Sequence, residues 1–420
     1  MSTITGKVAG ALMATALLAA GGTASAHHVA PTQHVDQVAD GPPTWVVPGL
    51  RLTHYSSVAT LPDGSYELVE DPNGPLSDPV TGKRYREIYT ASAQAASQGG
   101  TGSGDGFTEL TVAAVEGDQV VVARSLYVNE PLTATRSLST TAERVAGARV
   151  DGAWIRPDLL ATMKTGDMGS VLVLRGPVSV AGATYEAVSL LDPTAGRYAF
   201  FAYDAASGVL LTSALRISAI SGGPVDMSFT ELRGTRQLAT PGLGAPVPGW
   251  LAARPELVYA GTQDYVNPMD PSSAPISSTV SWRTSFPQTG ATWAMYETNA
   301  SVTNTLGMST PLTSSGVVSG AGPYWWDPAA LAGMTGGQTL DADPHTGLTF
   351  TVSGVVQGSF GPAVAMGVSM PGLTVEARYD SATGVMIFQQ VSIASSGTTT
   401  RIQLQQMPAA AMRSDDGVTP

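Results

Sequence analysis

Short runs of alternating apolar and polar residues make up most of the chain after residue 45. Each run is rich in β-branched and aromatic residues and is bounded by Gly, Pro or Asp. The clearest runs are GFTELTVAAVEGDQVVVARSLYV, VLVLRGPVSVAGATYEAVSLL, YAFFAYD, GVLLTSALRIS, LTFTVSGVV and LTVEARYD. A two-residue period is typical of strands that bury one face. Because segments with a helical period are scarce, the pattern predicts a mainly β fold, a β-rich form of the α+β class.

Five turn segments of the form Asp-x-x-x-Gly separate these runs, at residues 78–82, 192–196, 204–208, 343–347 and 380–384. In each, the Asp side chain can accept hydrogen bonds from nearby amides, and Gly supplies the positive φ that returns the chain to a partner strand. A calcium loop of the EF-hand type needs further oxygen ligands and a terminal glutamate, which these segments lack. The turns therefore predict an antiparallel meander rather than metal sites.

Two motifs occur twice, in the same order. WIRPDLLATM at residues 154–163 matches WWDPAALAGM at residues 325–334, and YDAASGV at residues 203–209 matches YDSATGV at residues 379–385. Repetition at a nearly fixed spacing indicates an internal duplication. The sequence therefore predicts two tandem, diverged copies of a curved antiparallel sheet or half-barrel, each with a short helix preceded by Trp.

Each predicted helix has a start signal and a stop signal. Pro157 and Pro328 fit the first helical position, where a missing amide hydrogen breaks no bond. Asp327 can cap the free amides of the second helix. Gly166 and Gly336 are predicted to end the two helices.

Composition divides the chain into six segments. Residues 1–26 combine Lys7, an apolar run and a final Ala-x-Ala, which are the features of a secretory signal peptide. Residues 27–44 are polar and indicate a flexible leader. The two β-rich copies are predicted at residues 45–240 and 251–408, joined by a Pro/Gly linker at residues 241–250. Residues 409–420 are expected to form a disordered tail.

Charge and cysteine content narrow the partners and the compartment. The formal net charge is −12, with 33 acidic and 21 basic residues, which argues against electrostatic binding of nucleic acid or anionic membranes. There is no cysteine, so the core relies on burial and hydrogen bonds rather than on disulfides. No apolar run is long enough to span a bilayer. We expect a soluble protein secreted to the periplasm or the cell exterior.

The segment GPYWWDPAALAGM at residues 322–334 holds three consecutive aromatic rings. The repeated motif assigns Trp154 and Trp325 to equivalent places, where core packing is the simplest role. Tyr324 and Trp326 replace small or aliphatic residues of the first copy, so these two rings are specific to the second. The candidate residues for binding an apolar small molecule or lipid are therefore Tyr324, Trp325, Trp326 and Trp154.

The Tyr-Asp-x-x-[Ser/Thr]-Gly-Val hairpins at residues 203–209 and 379–385 are each followed by a further strand, MSFTEL and RIQLQQM. With the short helix, this order resembles the bacterial lipoprotein-carrier fold of the LolA and LppX type, in which a curved antiparallel sheet encloses short helices and apolar ligands. The resemblance covers about a third of each copy and implies apolar-ligand binding by fold analogy. The lipobox cysteine of the lipoprotein members is missing from this sequence.

Catalytic motifs are absent from the sequence. There is no H-E-x-x-H, G-x-S-x-G or Walker loop, and GGTGSGDG at residues 99–106 matches a nucleotide loop only in its glycine content. His27, His28 and His34 cluster at the predicted mature N-terminus, where an amine and an imidazole can chelate Cu(II). Their segment is predicted to be flexible, and His54 and His345 fall in no ligand spacing. The sequence therefore predicts no catalytic residue, no metal site and no cofactor.

Three functions fit these features. The first is an exported, non-catalytic protein that binds an apolar ligand or lipid in a curved β-domain. The second is a structural or interaction protein of the cell exterior, in which duplication supplies avidity or reach. The third is a secreted hydrolase or copper enzyme whose site forms only in the fold.

Overall fold

A computed structural model of the chain describes the residues from 41 onward, with gaps. The described ranges are 41–61, 67–70, 76–77, 84–88, 104–130, 135–192, 197–218, 225–253, 256–266, 276–358, 361–395 and 398–406. The predicted signal peptide, the predicted tail, and most of the leader with His27, His28 and His34 lie outside these ranges. So do the turn at residues 78–82 and, apart from Asp192, the turn at residues 192–196.

Strands dominate both halves of the described chain. The strands of the first half are β1 (Leu50–Leu61), β2 (Glu67–Glu70), β3 (Leu76–Ser77), β4 (Arg84–Ile88), β5 (Gly104–Glu116), β6 (Gln119–Glu130), β7 (Thr135–Ala146), β8 (Arg149–Val150), β9 (Trp154–Ile155), β10 (Leu172–Val180), β11 (Ala183–Asp192), β12 (Arg197–Asp204), β13 (Leu210–Ser218) and β14 (Val225–Gln237). Those of the second half are β15 (Glu256–Val266), β16 (Ile276–Thr289), β17 (Ala294–Thr303), β18 (Ser309–Val318), β19 (Thr339–Ala342), β20 (Thr349–Gly358), β21 (Gly361–Met370), β22 (Leu373–Asp380), β23 (Met386–Ser395) and β24 (Thr398–Gln406). The short helices are α1 (Pro157–Thr162), α2 (Trp250–Ala253) and α3 (Pro328–Ala332).

Two large antiparallel sheets contain most of these strands. The first has the spatial order β10-β11-β12-β13-β14-β1-β5-β6-β7, and the second has the order β19-β20-β21-β22-β23-β24-β15-β16-β17-β18. In both halves the last strand pairs with the first, β14 with β1 and β24 with β15. Apart from β19, the two orders are the same. Among the described residues neither sheet closes on itself, and the predicted mainly β fold with two tandem antiparallel sheets is confirmed.

The Asp-x-x-[Ser/Thr]-Gly turns form by the predicted chemistry wherever the structure describes them. Oδ1 of Asp380 accepts from both the amide and the hydroxyl of Thr383, each over 2.7 Å. Gly384 then takes a φ of +73°, and its amide donates to the Asp380 carbonyl over 2.8 Å. Asp204 and Asp343 hold their turns in the same way, by accepting from the amide three residues on.

The segment before the helix and the turn of each half are joined through the backbone. In the second half the amide of Trp326 donates to the carbonyl of Gly384 over 2.9 Å, and the amide of Met386 donates to the carbonyl of Tyr324 over 3.0 Å. In the first half the amide of Ile155 donates to the carbonyl of Gly208 over 3.0 Å, and the amide of Leu210 donates to the carbonyl of Ala153 over 2.8 Å. The two repeated sequence motifs therefore form one structural unit in each half.

Both helices begin as predicted but end earlier. Asp327 caps α3 by accepting from the Ala330 amide over 3.2 Å. The predicted stops at Gly166 and Gly336 are wrong, because α1 ends at Thr162 and α3 ends at Ala332. At the end of α1, the guanidinium of Arg175 donates hydrogen bonds to the carbonyl oxygens of Leu160, Ala161 and Met163. This cap comes from a neighbouring strand rather than from a following glycine.

The Pro/Gly connector at residues 241–250 has fixed contacts with the second sheet. Gly242 has a φ of +81°, and a Cβ there would lie 2.9 Å from the carbonyl oxygen of Gly320. The amide of Val247 donates to Ala291 over 2.9 Å. Trp250, at the start of α2, stacks edge-on to Phe286 with ring centroids 6.4 Å apart. Among the described residues, no helix is long and apolar enough to cross a membrane.

Candidate functional site

The four aromatic candidates lie in the protein interior. Tyr324, Trp325 and Trp326 belong to the apolar cluster of the second sheet, whereas Trp154 belongs to a cluster of the first. None has an exposed fraction above 3%. The structure therefore brings three of the four together and places Trp154 apart from them, at the equivalent place of the other half.

The hydroxyl of Tyr324 has partners within the protein. Nε1 of Trp282 donates to it over 3.1 Å, and Oγ1 of Thr298 lies 2.9 Å from it. The ring stands edge-on to Tyr296, with centroids 4.8 Å apart. Because burial raises the pKa of Tyr324, its phenol stays neutral and serves as a hydrogen-bonded group of the core.

Trp326 lies at the position of the repeated motif that Ile155 holds in the first half. Its ring packs edge-on to Phe350 and Tyr379, with centroids 5.8 and 6.2 Å apart. Ile155 instead belongs to a cluster that includes Leu160. The second half therefore has an aromatic contact where the first half has an aliphatic one.

The two equivalent tryptophans are held by hydrogen bonds from the indole nitrogen. Trp154 donates to the carbonyl of Gly147 over 2.9 Å, and Trp325 donates to the carbonyl of Thr383 over 3.2 Å. Trp45 also packs edge-on against Trp154, with ring centroids 5.7 Å apart. Side chains of the protein itself therefore occupy the space around both rings.

A buried polar cluster joins the two sheets, and sequence patterns did not point to it. We call it the junction cluster. Its members from the first sheet are Arg51 on β1, Glu109 on β5, Tyr127 on β6 and Arg236 on β14, and its members from the second are Asp341 on β19 and Asp343 after it. Each guanidinium crosses from one sheet to the other, so the sheets are in direct contact.

Asp341 is the centre of the ion pairs across the junction. Its Oδ2 lies 3.0 Å from Nη1 of Arg51, and its Oδ1 lies 2.5 Å from Nη1 of Arg236. Nη2 of Arg236 also donates to Asp343 over 2.7 Å. The side chains of both aspartates are buried. Buried carboxylates with two cationic partners depend strongly on those partners.

Glu109 lies on the first-sheet side of the same cluster, and its side chain is only 1% exposed. Its Oε2 accepts from the Tyr127 hydroxyl over 3.0 Å and lies 3.3 Å from Nη1 of Arg51. Burial is the main reason why the pKa of Glu109 is raised from 4.5 to about 7. Burial would also raise the pKa of Asp343, but the amides of Thr346 and His345, the Glu109 carboxyl and Arg236 together lower it to about 2.

An apolar contact extends the junction beside β18. Ala113, Ala114 and Val121 of the first sheet pack against Trp293 and Met295 of the second. The indole nitrogen of Trp293 donates to Glu116 over 2.7 Å, and the hydroxyl of Ser319 donates to the carbonyl of Ala113 over 2.8 Å. The junction thus combines apolar packing with paired charges.

A polar cleft of about 240 Å³ opens beside the junction cluster. It runs between the end of β14 and strand β19, and residues 236–239 and 339–342 line it. Its charged groups, Arg236 and Asp341, already pair with each other. The residues that line the cleft therefore offer a ligand no unpaired charge.

The two described histidines have structural surroundings. Nε2 of His54 lies 3.0 Å from the carbonyl of Leu210 in the interior, and the ring of His345 lies 6.4 Å from that of Phe107. Within the described ranges, no group of three His, Cys, Asp or Glu side chains is placed to hold a metal ion. His27, His28 and His34 of the leader lie outside those ranges, and the prediction that the chain has no metal site stays a prediction.

We expect His54 to make the first sheet acid-sensitive. Burial lowers its pKa from 6.5 to about 4, so the folded state binds the proton more weakly than the unfolded state. The stability that His54 contributes is present above pH 6.5 and is lost as the pH falls from there to about 4. Urea titrations of wild type and His54→Gln at several pH values test this. Wild type should lose stability relative to the variant on acidification, and parallel curves would contradict it.

Comparisons with known proteins identify no family for this chain. No protein-family model matches the chain, and no curated protein matches it. A crystal structure of isotype 1 transferrin binding protein B from serogroup B Neisseria meningitidis aligns with 86% of this chain and 77% of its own, at 10% identity and a TM-score of 0.12. A likeness at that level carries no argument about fold or function. The resemblance to lipoprotein carriers of the LolA and LppX type therefore stays a prediction.

Proposed function

We propose that this chain is an exported, non-catalytic structural or interaction protein, built from two copies of one β-domain that act as a single unit. The observation that carries the proposal is the burial of the repeated tryptophans by side chains of the chain itself. Trp154, Trp325 and Trp326 are almost fully buried among side chains of the chain itself. An apolar ligand would have to displace core residues there, so recognition falls to the outer surface.

Internal duplication is part of this proposal, and three features support it. Both sheets have the same strand order apart from β19. An isolated bridge joins Trp154 to Val209 in the first half and Trp325 to Val385 in the second. A register shift falls at the same point of β12 and β22, just before Tyr203 and Tyr379. Two unrelated meanders would have no reason to share these irregularities.

Export is proposed from the signal-like segment at residues 1–26. N-terminal sequencing of the protein recovered from the periplasm or the medium of its producer is expected to give His27 as the first residue. Recovery of the protein only inside the cell, with residues 1–26 retained, would contradict export.

Native mass spectrometry distinguishes the scaffold from a carrier. The sample is protein purified from its own producer, measured folded and again after extraction with organic solvent. We expect the folded and the extracted chain to have the same mass, and the extract to hold no lipid in stoichiometric amount. One lipid or other apolar molecule per chain would overturn the proposal in favour of ligand carriage.

Trp326→Ile places the first copy's residue in the second copy. We expect it to lower the free energy of unfolding by about 3 kcal/mol, because the smaller side chain leaves a cavity beside Phe350 and Tyr379. Leu306→Ala is the control, since Leu306 is 80% exposed and its loss should cost less than about 0.5 kcal/mol. Urea denaturation gives both values. Equal losses would show that the Trp326 ring is not a core contact.

A further inference from the structure

The charges of the junction cluster do not balance when every group is ionised. The first sheet contributes the guanidinium groups of Arg51 and Arg236 together with the Glu109 carboxyl, and the second contributes Asp341 and Asp343. Each guanidinium reaches an aspartate of the other sheet. The two arginines and two aspartates therefore neutralise one another across the junction, and Glu109 is the charge left over.

The Glu109 carboxyl also lacks one hydrogen bond. Its Oε2 contacts Tyr127 and Arg51, whereas its Oε1 is buried with no partner among the described residues. Nη1 of Arg51 lies 3.3 Å from Oε2 of Glu109 and 3.0 Å from Oδ2 of Asp341, so a carboxyl of each sheet shares one guanidinium nitrogen. A proton on Glu109 removes one of the two negative charges beside that nitrogen and turns the Glu109 carboxyl into a hydrogen-bond donor.

We propose that the junction is a proton-linked latch, which holds the two sheets together when Glu109 carries a proton and loosens them when Glu109 is ionised. The inference goes beyond the proposed function, because it makes the rigidity of the two-sheet unit depend on pH. With one proton bound, two positive charges face two negative charges and no charge remains over. Without it, the Glu109 carboxylate and the two aspartates of the other sheet repel each other in a largely buried site.

The groups that face Glu109 come from every element packed around it. They are Arg51 on β1, Tyr127 on β6, Arg236 on β14, Asp341 on β19 and Asp343 in the following turn. His345 lies in the same turn, beside Phe107. The pKa of Asp343 is lowered to about 2, so Asp343 keeps its negative charge throughout the range in which Glu109 titrates.

The pH window follows from the direction of the Glu109 shift. Burial raises the pKa of Glu109 from 4.5 to about 7 in the folded protein. A carboxyl whose pKa is raised in the closed state stabilises that state fully when the pH is below the carboxyl's ordinary pKa. This stabilisation is lost as the pH rises from the ordinary pKa through the raised pKa. The latch therefore weakens between pH 4.5 and about 7. His54, inside the first sheet, has the opposite dependence, which is why the test must report on the junction alone.

Native-state thiol labelling measures opening of the junction directly. The chain has no cysteine, so one introduced thiol is the only reactive one. Ala114→Cys places it in the apolar part of the junction, where a reagent reaches it only when the sheets separate. Val391→Cys is the matched control, because Val391 is buried between β22 and β24 in the middle of the second sheet. Each rate is divided by the rate of the same variant unfolded in urea at the same pH, which removes the effect of thiol ionisation.

We expect the corrected labelling rate of Ala114→Cys to rise on the order of tens-fold from about pH 5 to about pH 8, as Glu109 loses its proton. In the same variant carrying Glu109→Gln, an uncharged side chain of equal size, the rate should stay constant within about twofold. The Val391→Cys rate should not follow the rise.

Three results would overturn the latch. One is a corrected Ala114→Cys rate that does not change with pH, and another is an equal rise in the Glu109→Gln background. The third is an equal rise at Val391, because it would show unfolding of a whole sheet rather than opening between sheets. If Ala114→Cys does not fold, Met295→Cys reports from the other side of the same contact.

Discussion

Gly384→Ala is expected to lower the free energy of unfolding by about 4 kcal/mol or more. A Cβ at Gly384 would lie 1.8 Å from the carbonyl oxygen of Trp326, the residue whose amide donates to the Gly384 carbonyl. The φ of +73° adds a second cost for any residue with a side chain. The same substitution at Gly208 should behave alike, because a Cβ there would lie 1.9 Å from the carbonyl oxygen of Ile155.

Gly337→Ala is the matched control for this substitution. Gly337 has a φ of +85°, but nothing lies within 4 Å of its Cβ position. Replacing Gly337 with Ala should lower the free energy of unfolding by only about 1 kcal/mol, the cost of a positive φ for a residue with a side chain. Urea denaturation followed by circular dichroism compares the variants. If Gly384→Ala cost no more than Gly337→Ala, the close approach of turn and helix would not be a determinant of the fold.

The second large effect is expected at the junction. Asp341→Asn removes the negative charge that Arg51 and Arg236 share, and leaves two mostly buried guanidinium groups with Asp343 and Glu109 as their remaining carboxyl partners. We expect a loss of about 3 to 5 kcal/mol, because the three hydrogen bonds that Asp341 accepts from Arg51 and Arg236 lose their negative charge in a largely buried site.

Asp151→Asn provides the comparison for an exposed ion pair. Asp151 lies 3.1 Å from Arg149, and its side chain is 47% exposed. Removing its charge should cost less than about 1 kcal/mol, since water already solvates both partners. Urea denaturation at neutral pH gives both values. A similar small loss for the two variants would mean that the junction cluster contributes little to stability.

Much of the fold follows from local signals in the sequence. The two-residue period set the strands, and the Asp-x-x-[Ser/Thr]-Gly segments set the hairpins, because both depend on neighbouring residues only. The start of α3 was equally local, since Asp327 caps the helix next to it. The end of α1 did not follow from local signals, because Arg175 on strand β10 donates hydrogen bonds to the carbonyl groups of its last turn. A residue outside the local segment decided that boundary.

The junction cluster could not be predicted for the same reason. Glu109 and Leu110 point to opposite faces of β5, and a charged residue on the face opposite a buried leucine is normally expected to be exposed to solvent. Only the packing of the second sheet buries it, and Asp341 comes from a strand without a counterpart in the first half. Tyr324 and Trp326 of the aromatic run pack against Tyr296 and Phe350, rings that are distant in sequence, and their predicted ligand-binding role stays a prediction.

Differential scanning calorimetry of the intact chain is the most direct test of the central claim, that two β-domains are joined into one unit by a buried junction. At about pH 5, where the latch is closed, we expect a single endotherm whose calorimetric and van 't Hoff enthalpies agree, because neither sheet can unfold without exposing the junction of the other. Two separate endotherms at that pH, with Asp341→Asn leaving both unchanged, would contradict it.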